Sequence, residues 1–252
     1  MVSSTHWLAS SSGMAMLERG GNAFDAAVVA GLVLHLAEPH LNGPAGDLSL
    51  ILHDSGSGKM QVICGQGTAP AKATLGYYRD LGLDLVPQNG LLATVIPGAF
   101  DAWMMLLRDH GTMKLREIFE PALNYAYQGI PVLPKIHENL VNLKNLFDKE
   151  WTSSGNVFMP GGNMPQINQL LCNPQLGDTW SRLLSEAESI SGSRESQIDA
   201  ARRIFYKGFI AEAIDQHCRG DKILDSSGQR HCGVLEGHDL GHWEATYEDP
   251  II

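Results

Sequence analysis

Cysteine is scarce and scattered in this chain: Cys64, Cys172, Cys218 and Cys232 are its four thiols, with no CxxC spacing among them. That excludes a disulfide-stapled miniature fold, indicates neither a structural zinc site nor a redox pair, and leaves reduced thiols as the default. Positive charge is also short, with 18 Lys and Arg against 28 Asp and Glu, a formal net charge of −10. The acids are dispersed rather than gathered in a tail, which disfavours a nucleic-acid or anionic-membrane surface and favours solubility. The apolar run Ala26 to Leu36 is too short to span a bilayer, and no basic segment precedes it. No membrane segment and no signal peptide are expected, so a cytoplasmic location is the default.

Catalytic signatures are missing as well. No HExxH motif places the ten histidines for a metal. No G-x-S-x-G elbow surrounds Ser10 to Ser12, and Gly65-Gln66-Gly67 lacks the lysine and hydroxyl of a phosphate loop. No metal and no cofactor are expected. Trp103 and Trp180 show no basic interleaving that would suggest nucleic-acid stacking, and core or interface burial explains them.

What is present is enough chain for a sizeable core: 252 residues and 27.4 kDa. With no linker and no repeat, a single domain over 1–252 is expected, with helices and a β-hairpin core over 1–70, a mostly helical region over 71–218 and a loop and strand region over 219–252. The organising stretch is Leu17 to Leu50, where Gly20-Gly21 precede a helix rich in small residues from about Asn22 to His35, followed by the turn Glu38 to Gly46. Ala23, Ala26, Ala27, Ala30 and Gly31 let another backbone approach this helix, while Asn22 and Asp25 put polar groups at its start.

Around it, His6 to Leu17 reads as a helix that Ser10 to Ser12 could cap. Leu48 to His53 and Met60 to Cys64 read as a hairpin that needs a third strand or a helix layer. Ala73 to Leu81 suggests a short helix, Leu91 to Ile96 a short buried strand, and Ala99 to His110 a helix. Leu115 to Tyr127 reads either as one amphipathic helix or as two separated at Pro121. Pro131 to Phe147 begins another helical region. Trp151 to Met164, rich in Ser, Gly, Asn and Pro, reads as a surface loop. Leu170 to Leu184 is compatible with helix, Ser189 to Ser193 breaks the pattern, and Ala200 to Cys218 reads as one helix with Phe205 and Phe209 on one face. A polar loop and the acidic stretch Glu236 to Asp249 follow, and Ile251-Ile252 look like the start of a strand.

Several polar residues carry alternatives. Asp25 and Glu38 are carboxylates available for acid–base work, or a helix cap and a turn contact. Asn42, Gly43, Gly46 and Asp47 form the turn before the first strand, where they serve as scaffold or lie beside a reactive centre. Gln66, Gly67 and Thr68 sit at the mouth of the hairpin as a ligand wall or a tight turn.

The segments His6-x-Leu8-Ala9-Ser10, Gly20-Gly21-Asn22-Ala23-x-Asp25-Ala26-Ala27-Val28, Glu38-Pro39 and Gly43 to Gly46 resemble the opening of the large subunit of gamma-glutamyltransferases. Ala69-Pro70, Val95-x-Pro97-Gly98, Pro121-Ala122, Ala126-x-x-Gly129 and Phe205-Tyr206-x-Gly208 continue the resemblance in order over essentially the whole chain. It implies an α+β, layered α/β fold: part of the αββα N-terminal-nucleophile hydrolase sandwich, with a largely helical middle. It also implies a precursor that cuts itself and exposes a threonine at the start of a small subunit, with its own amine as base.

No Thr-Thr-His processing motif occurs here, and Thr5-His6 belongs to the large-subunit opening. The chain therefore resembles a truncated large-subunit portion with no catalytic residue of its own. Its implied partners are a downstream segment, a threonine-bearing small subunit and a small amide or gamma-glutamyl substrate, with no nucleic acid and no membrane. One departure bears on substrate. Where the family has Arg-Glu-x-Ala-Pro, with the arginine on the glutamyl α-carboxylate, this chain reads Gln66-Gly67-Thr68-Ala69-Pro70. Glutamine lacks the charged fork, and the segment looks closer to acylase-like branches. A noncatalytic homologous scaffold is the alternative.

Overall fold

The computed structural model describes residues 1–190, 192–220 and 222–251. In chain order the elements are α1 (Trp7–Glu18), α2 (Ala23–Ala37), β1 (Leu48–Asp54), β2 (Lys59–Gly65), α3 (Leu75–Asp80), α4 (Ala99–His110), α5 (Leu115–Gln128) and β3 (Ile130–Pro131). They continue with α6 (Pro134–Lys149), α7 (Thr152–Phe158), β4 (Leu170–Leu171), α8 (Pro174–Glu188), α9 (Arg194–Lys207) and α10 (Phe209–Gly220). The last are β5 (Ile223–Leu224), β6 (Arg230–His231), α11 (Gly237–His242) and β7 (Thr246–Glu248). This is a mixed α+β fold, mostly helical with small antiparallel sheets. The chain forms two compact units, Met1–Pro44 with Trp103–Ala201, and Ala45–Ala102 with Arg202–Ile252.

The first unit is helical because its sequence supplies capped, small-residue helices. The α1 cap is the His6 ring, whose Nδ1 accepts from the Leu8 amide at 3.1 Å, rather than a Ser10 to Ser12 hydroxyl. Close approach of α1 to α2 occurs at Gly13, where a Cβ would lie 2.9 Å from the Ala26 carbonyl oxygen. At Gly31 a Cβ would come within 2.5 Å of the Trp103 ring, so that glycine accommodates an indole. α5 runs unbroken through Pro121, and Phe119 on it meets Trp180 of α8 edge to face at 5.5 Å.

Trp151 to Met164 is not a surface loop: it holds α7 and a 3₁₀ turn at Pro160–Gly162. Its apolar residues outweigh its loop-like composition, because Met159 is buried with Val132, Ile136, Leu140 and Phe147, and Trp151, Phe158 and Met164 pack against them. Leu170 and Leu171 pair with β3, and the helix begins only at Pro174, a favoured first position.

The second unit is built on the antiparallel sheet β1–β2–β7. Asp54 closes the hairpin by accepting from Gly56 N at 3.0 Å and Ser57 N at 3.2 Å, and Gly58 takes φ +69°. The third strand comes from the acidic stretch Glu236 to Asp249, inside the expected loop and strand region: β7 pairs Ile63 with Tyr247.

Leu91 to Ile96 is not a strand. Leu91–Ala93 form a 3₁₀ turn after Gly90 at φ +82°, and Ile96 N donates to Thr68 O at 3.0 Å. The single helix expected over Ala200 to Cys218 is two, interrupted at Gly208. Phe205 and Phe209 therefore lie on different helices, and Phe205 stacks on Phe100 at 4.3 Å. Ile251 has no regular structure. The expectations that touch Ser191, Asp221 and Ile252 fall, at those positions, outside the described residues.

Candidate functional site

Gly65, Gly67 and Gly98 frame the mouth of the β1–β2 hairpin. Gly46 O accepts from both Gly98 N and Ala99 N at 2.9 Å. A Cβ on Gly98 would lie 2.0 Å from Gly65 O, and one on Gly67 would lie 1.6 Å from Ile96 O. Only a bare backbone can make these crossings. The result is a rigid lip formed by residues 46, 65–68 and 96–98. The ladder ends at the pair Leu48–Gly65, so Asp47 and Gln66 flank that end. Gln66, Thr68 and Asp47 are exposed, so the lip presents an uncharged carboxamide, a hydroxyl and a carboxylate to solvent. Such a wall can orient a polar substrate but supplies no activated nucleophile.

The remaining expected residues lie in the other unit and make caps and turns. Asn22 Oδ1 accepts from Phe24 N at 2.9 Å and Asp25 N at 3.0 Å, while Asn22 N donates back to Asp25 Oδ2 at 2.9 Å. The same Asp25 carboxylate accepts from Thr112 N, Thr112 Oγ1 at 2.7 Å and Met113 N at 3.1 Å. With its lone pairs so occupied, Asp25 holds the start of α2 to the connection before α5. Glu38 is buried and accepts from the Thr5 hydroxyl, and its carbonyl takes Leu41 N at 2.9 Å and Asn42 N at 3.0 Å. A Cβ on Gly43 would meet open space.

Two polar clusters of the second unit escaped the sequence reading. Arg202 grips Asp101 through two bonds of 2.6 and 2.9 Å, and Ala245 N donates to the same carboxylate at 2.8 Å. Tyr206 OH donates to Pro97 O at 2.7 Å; burial, then the Asp101 charge, holds its phenol protonated well above the usual range. The Phe205-Tyr206-x-Gly208 segment was the available signal, but nothing in it names Asp101 as the partner. In the second cluster, His231 Nδ1 lies 2.7 Å from Asp225 Oδ2. Burial raises the Asp225 pKa, yet hydrogen bonds from Ser227 and His231 outweigh that and hold it below the ordinary value. Among the described residues no group of three or more His, Cys, Asp or Glu side chains could hold a metal ion. No described helix is long and apolar enough to cross a membrane.

In fold, this chain matches the crystal structure of Helicobacter pylori gamma-glutamyltranspeptidase, with a TM-score of 0.82 at 25% identity over 100% of this chain and 66% of that one. Residues 9–252 match the family described as gamma-glutamyltranspeptidase, and the chain belongs to that family. The solved structure of LmbA2991T421A is 51% identical with a TM-score of 0.95, over 98% of this chain and 42% of that one. The acylase ACY 1 proenzyme of Pseudomonas sp. (strain V22) is 30% identical over 96% of this chain and 48% of its own length. The chain thus spans less than half the length of these curated relatives, 39% in one case and 48% in another.

Proposed function

We propose that this chain is the large-subunit portion of an autoprocessed N-terminal-nucleophile amidohydrolase or acyltransferase that acts on gamma-glutamyl or other small acyl amides. The observation that carries this reading is the family match over residues 9–252. The chemistry assigned to the whole protein is attack by a small-subunit threonine hydroxyl on the amide carbonyl, with its own α-amine as base. The acyl group then passes to water or an amine. This chain supplies the scaffold and one wall of the cleft, with Gln66, Gly67 and Thr68 on that wall. Gln66 offers hydrogen bonds but no cation, which favours acyl groups without an α-carboxylate over gamma-glutamyl donors. An uncovered sheet face also supports a further layer: Ile51 and Met60, neighbours on one face of the hairpin, are 69% and 51% exposed.

Intact-mass measurement of the full precursor before and after incubation tests the reading. The expected result is two fragments, the smaller beginning with threonine, and turnover that tracks their appearance. This 252-residue chain alone is expected to give no turnover that scales with its concentration. A precursor that folds but never cleaves would instead favour the noncatalytic scaffold.

A further inference from the structure

A cavity of about 490 Å³ opens in the first unit between α7, the 3₁₀ turn after it, β4 and the start of α8. That volume lies in the range of small-molecule sites, roughly 300–1,000 Å³. In a chain carrying 28 acids and 18 bases, its lining contains no carboxylate, ammonium, guanidinium or imidazole. Instead it is lined by five carboxamide residues, Asn156, Asn163, Gln169, Asn173 and Gln175, with prolines between them and the Cys172 thiol.

Two of these amides are fixed by the backbone. Asn173 Oδ1 accepts from Leu176 N at 3.1 Å as the cap of α8, and Gln169 Oε1 accepts from Gln166 N at 2.8 Å. With their oxygens engaged, both present their NH₂ groups as donors. Cys172 and Leu171 also border a smaller chamber, of about 20 Å³, reached by His35. Burial lowers the His35 pKa to about 4, so that chamber is uncharged at neutral pH too. A charged ligand would lose hydration here without gaining a counter-charge, whereas carbonyl or hydroxyl oxygens would meet donors.

We propose that this cavity is a binding site for a small uncharged molecule bearing amide carbonyl or hydroxyl acceptors. No residue assigned to the cleft wall lines it, so the inference stands apart from the catalytic reading. Cys172 is a built-in reporter. Iodoacetamide alkylates its thiolate by forming a C–S bond and expelling iodide, while the thiol proton goes to solvent, and peptide mass mapping reads each cysteine separately.

Millimolar N-acetylglycinamide should slow alkylation of Cys172 about threefold or more, the factor 1 + [L]/Kd once the probe exceeds about twice its Kd. Cys64, Cys218 and Cys232 should be unaffected, and the carboxylate N-acetylglycine should not protect. Asn156→Asp and Gln175→Glu, at exposed wall positions, should abolish protection while an unchanged urea-unfolding curve reports an intact fold. Absence of protection in the unaltered chain, or equal protection by N-acetylglycine, overturns the proposal without reference to any variant. Protection undiminished in correctly folded variants overturns it as well.

Discussion

Gln66 and Asp101 set the terms at the scale of single residues. Gln66 stands exposed on a lip that three glycines make rigid, so a substitution there changes chemistry rather than folding. On the proposed function, Gln66→Arg in the full-length precursor should raise kcat/KM for a gamma-glutamyl anilide by roughly 10- to 100-fold, since a charged hydrogen bond contributes about 1.5–3 kcal/mol. An unchanged ratio of gamma-glutamyl to simple acyl turnover would remove Gln66 from substrate selection. Asp101 is the opposite case. Its side chain is 3% exposed and that of Arg202 only 15%, so Asp101→Asn strips the carboxylate charge from a nearly buried ion pair. The cost should be about 3 kcal/mol in urea denaturation, against about 2 kcal/mol for Tyr206→Phe, which removes two neutral hydrogen bonds, one donated to Pro97 O and one accepted from Asp101 N. Gln66 was legible because a family pattern singles out its position. Asp101 was not, because its partner lies 101 residues away and neither residue is unusual in its own helix.

Among the elements, α2 shows how much local sequence can determine. Its Asn22 and Asp25 form a reciprocal capping box, a pattern visible in Asn-x-x-Asp ahead of an apolar run. The structure adds a second task, because Asp25 also holds Thr112 and Met113. Asp25→Ala should therefore cost more than the ~1 kcal/mol of a lost cap, roughly 3 kcal/mol, and amide exchange at Thr112 and Met113 should accelerate together with the first turn of α2. If exchange quickens in α2 alone, the tie to the 110–113 connection is not energetic. Helices with strong periodicity, such as α4, and the β1–β2 hairpin were legible near their observed limits. α7 and β7 were not: Met159 and Tyr247 find their partners, Val132 and Ile63, far away in sequence, and glycine, serine and acidic neighbours mask them.

For the whole molecule, stability should depend on pH through His35. Burial lowers its pKa from 6.5 to about 4, so between those values the unfolded chain binds the proton that the folded chain refuses. This contribution is complete above about pH 6.5 and is lost as pH falls towards 4, a change of roughly 3 kcal/mol. Urea unfolding at pH 7 and pH 4.5 should show this dependence flattened in His35→Gln; an equal slope in the variant would assign it to other groups. Asp225, held below its ordinary pKa, acts at lower pH, where protonation removes its bonds to Ser227 and His231.

By itself the sequence determined the family, the capped start of α2, the hairpin and the uncharged Gln66 ahead of Ala69-Pro70, because each is written in residues close together along the chain. Tertiary structure alone decided that Gly65, Gly67 and Gly98 are bare where the chain crosses itself, that Arg202 finds Asp101, and that five amides and a thiol line an uncharged cavity. Those outcomes depend on burial and on how the backbone folds back on itself in three dimensions, and no local pattern encodes them.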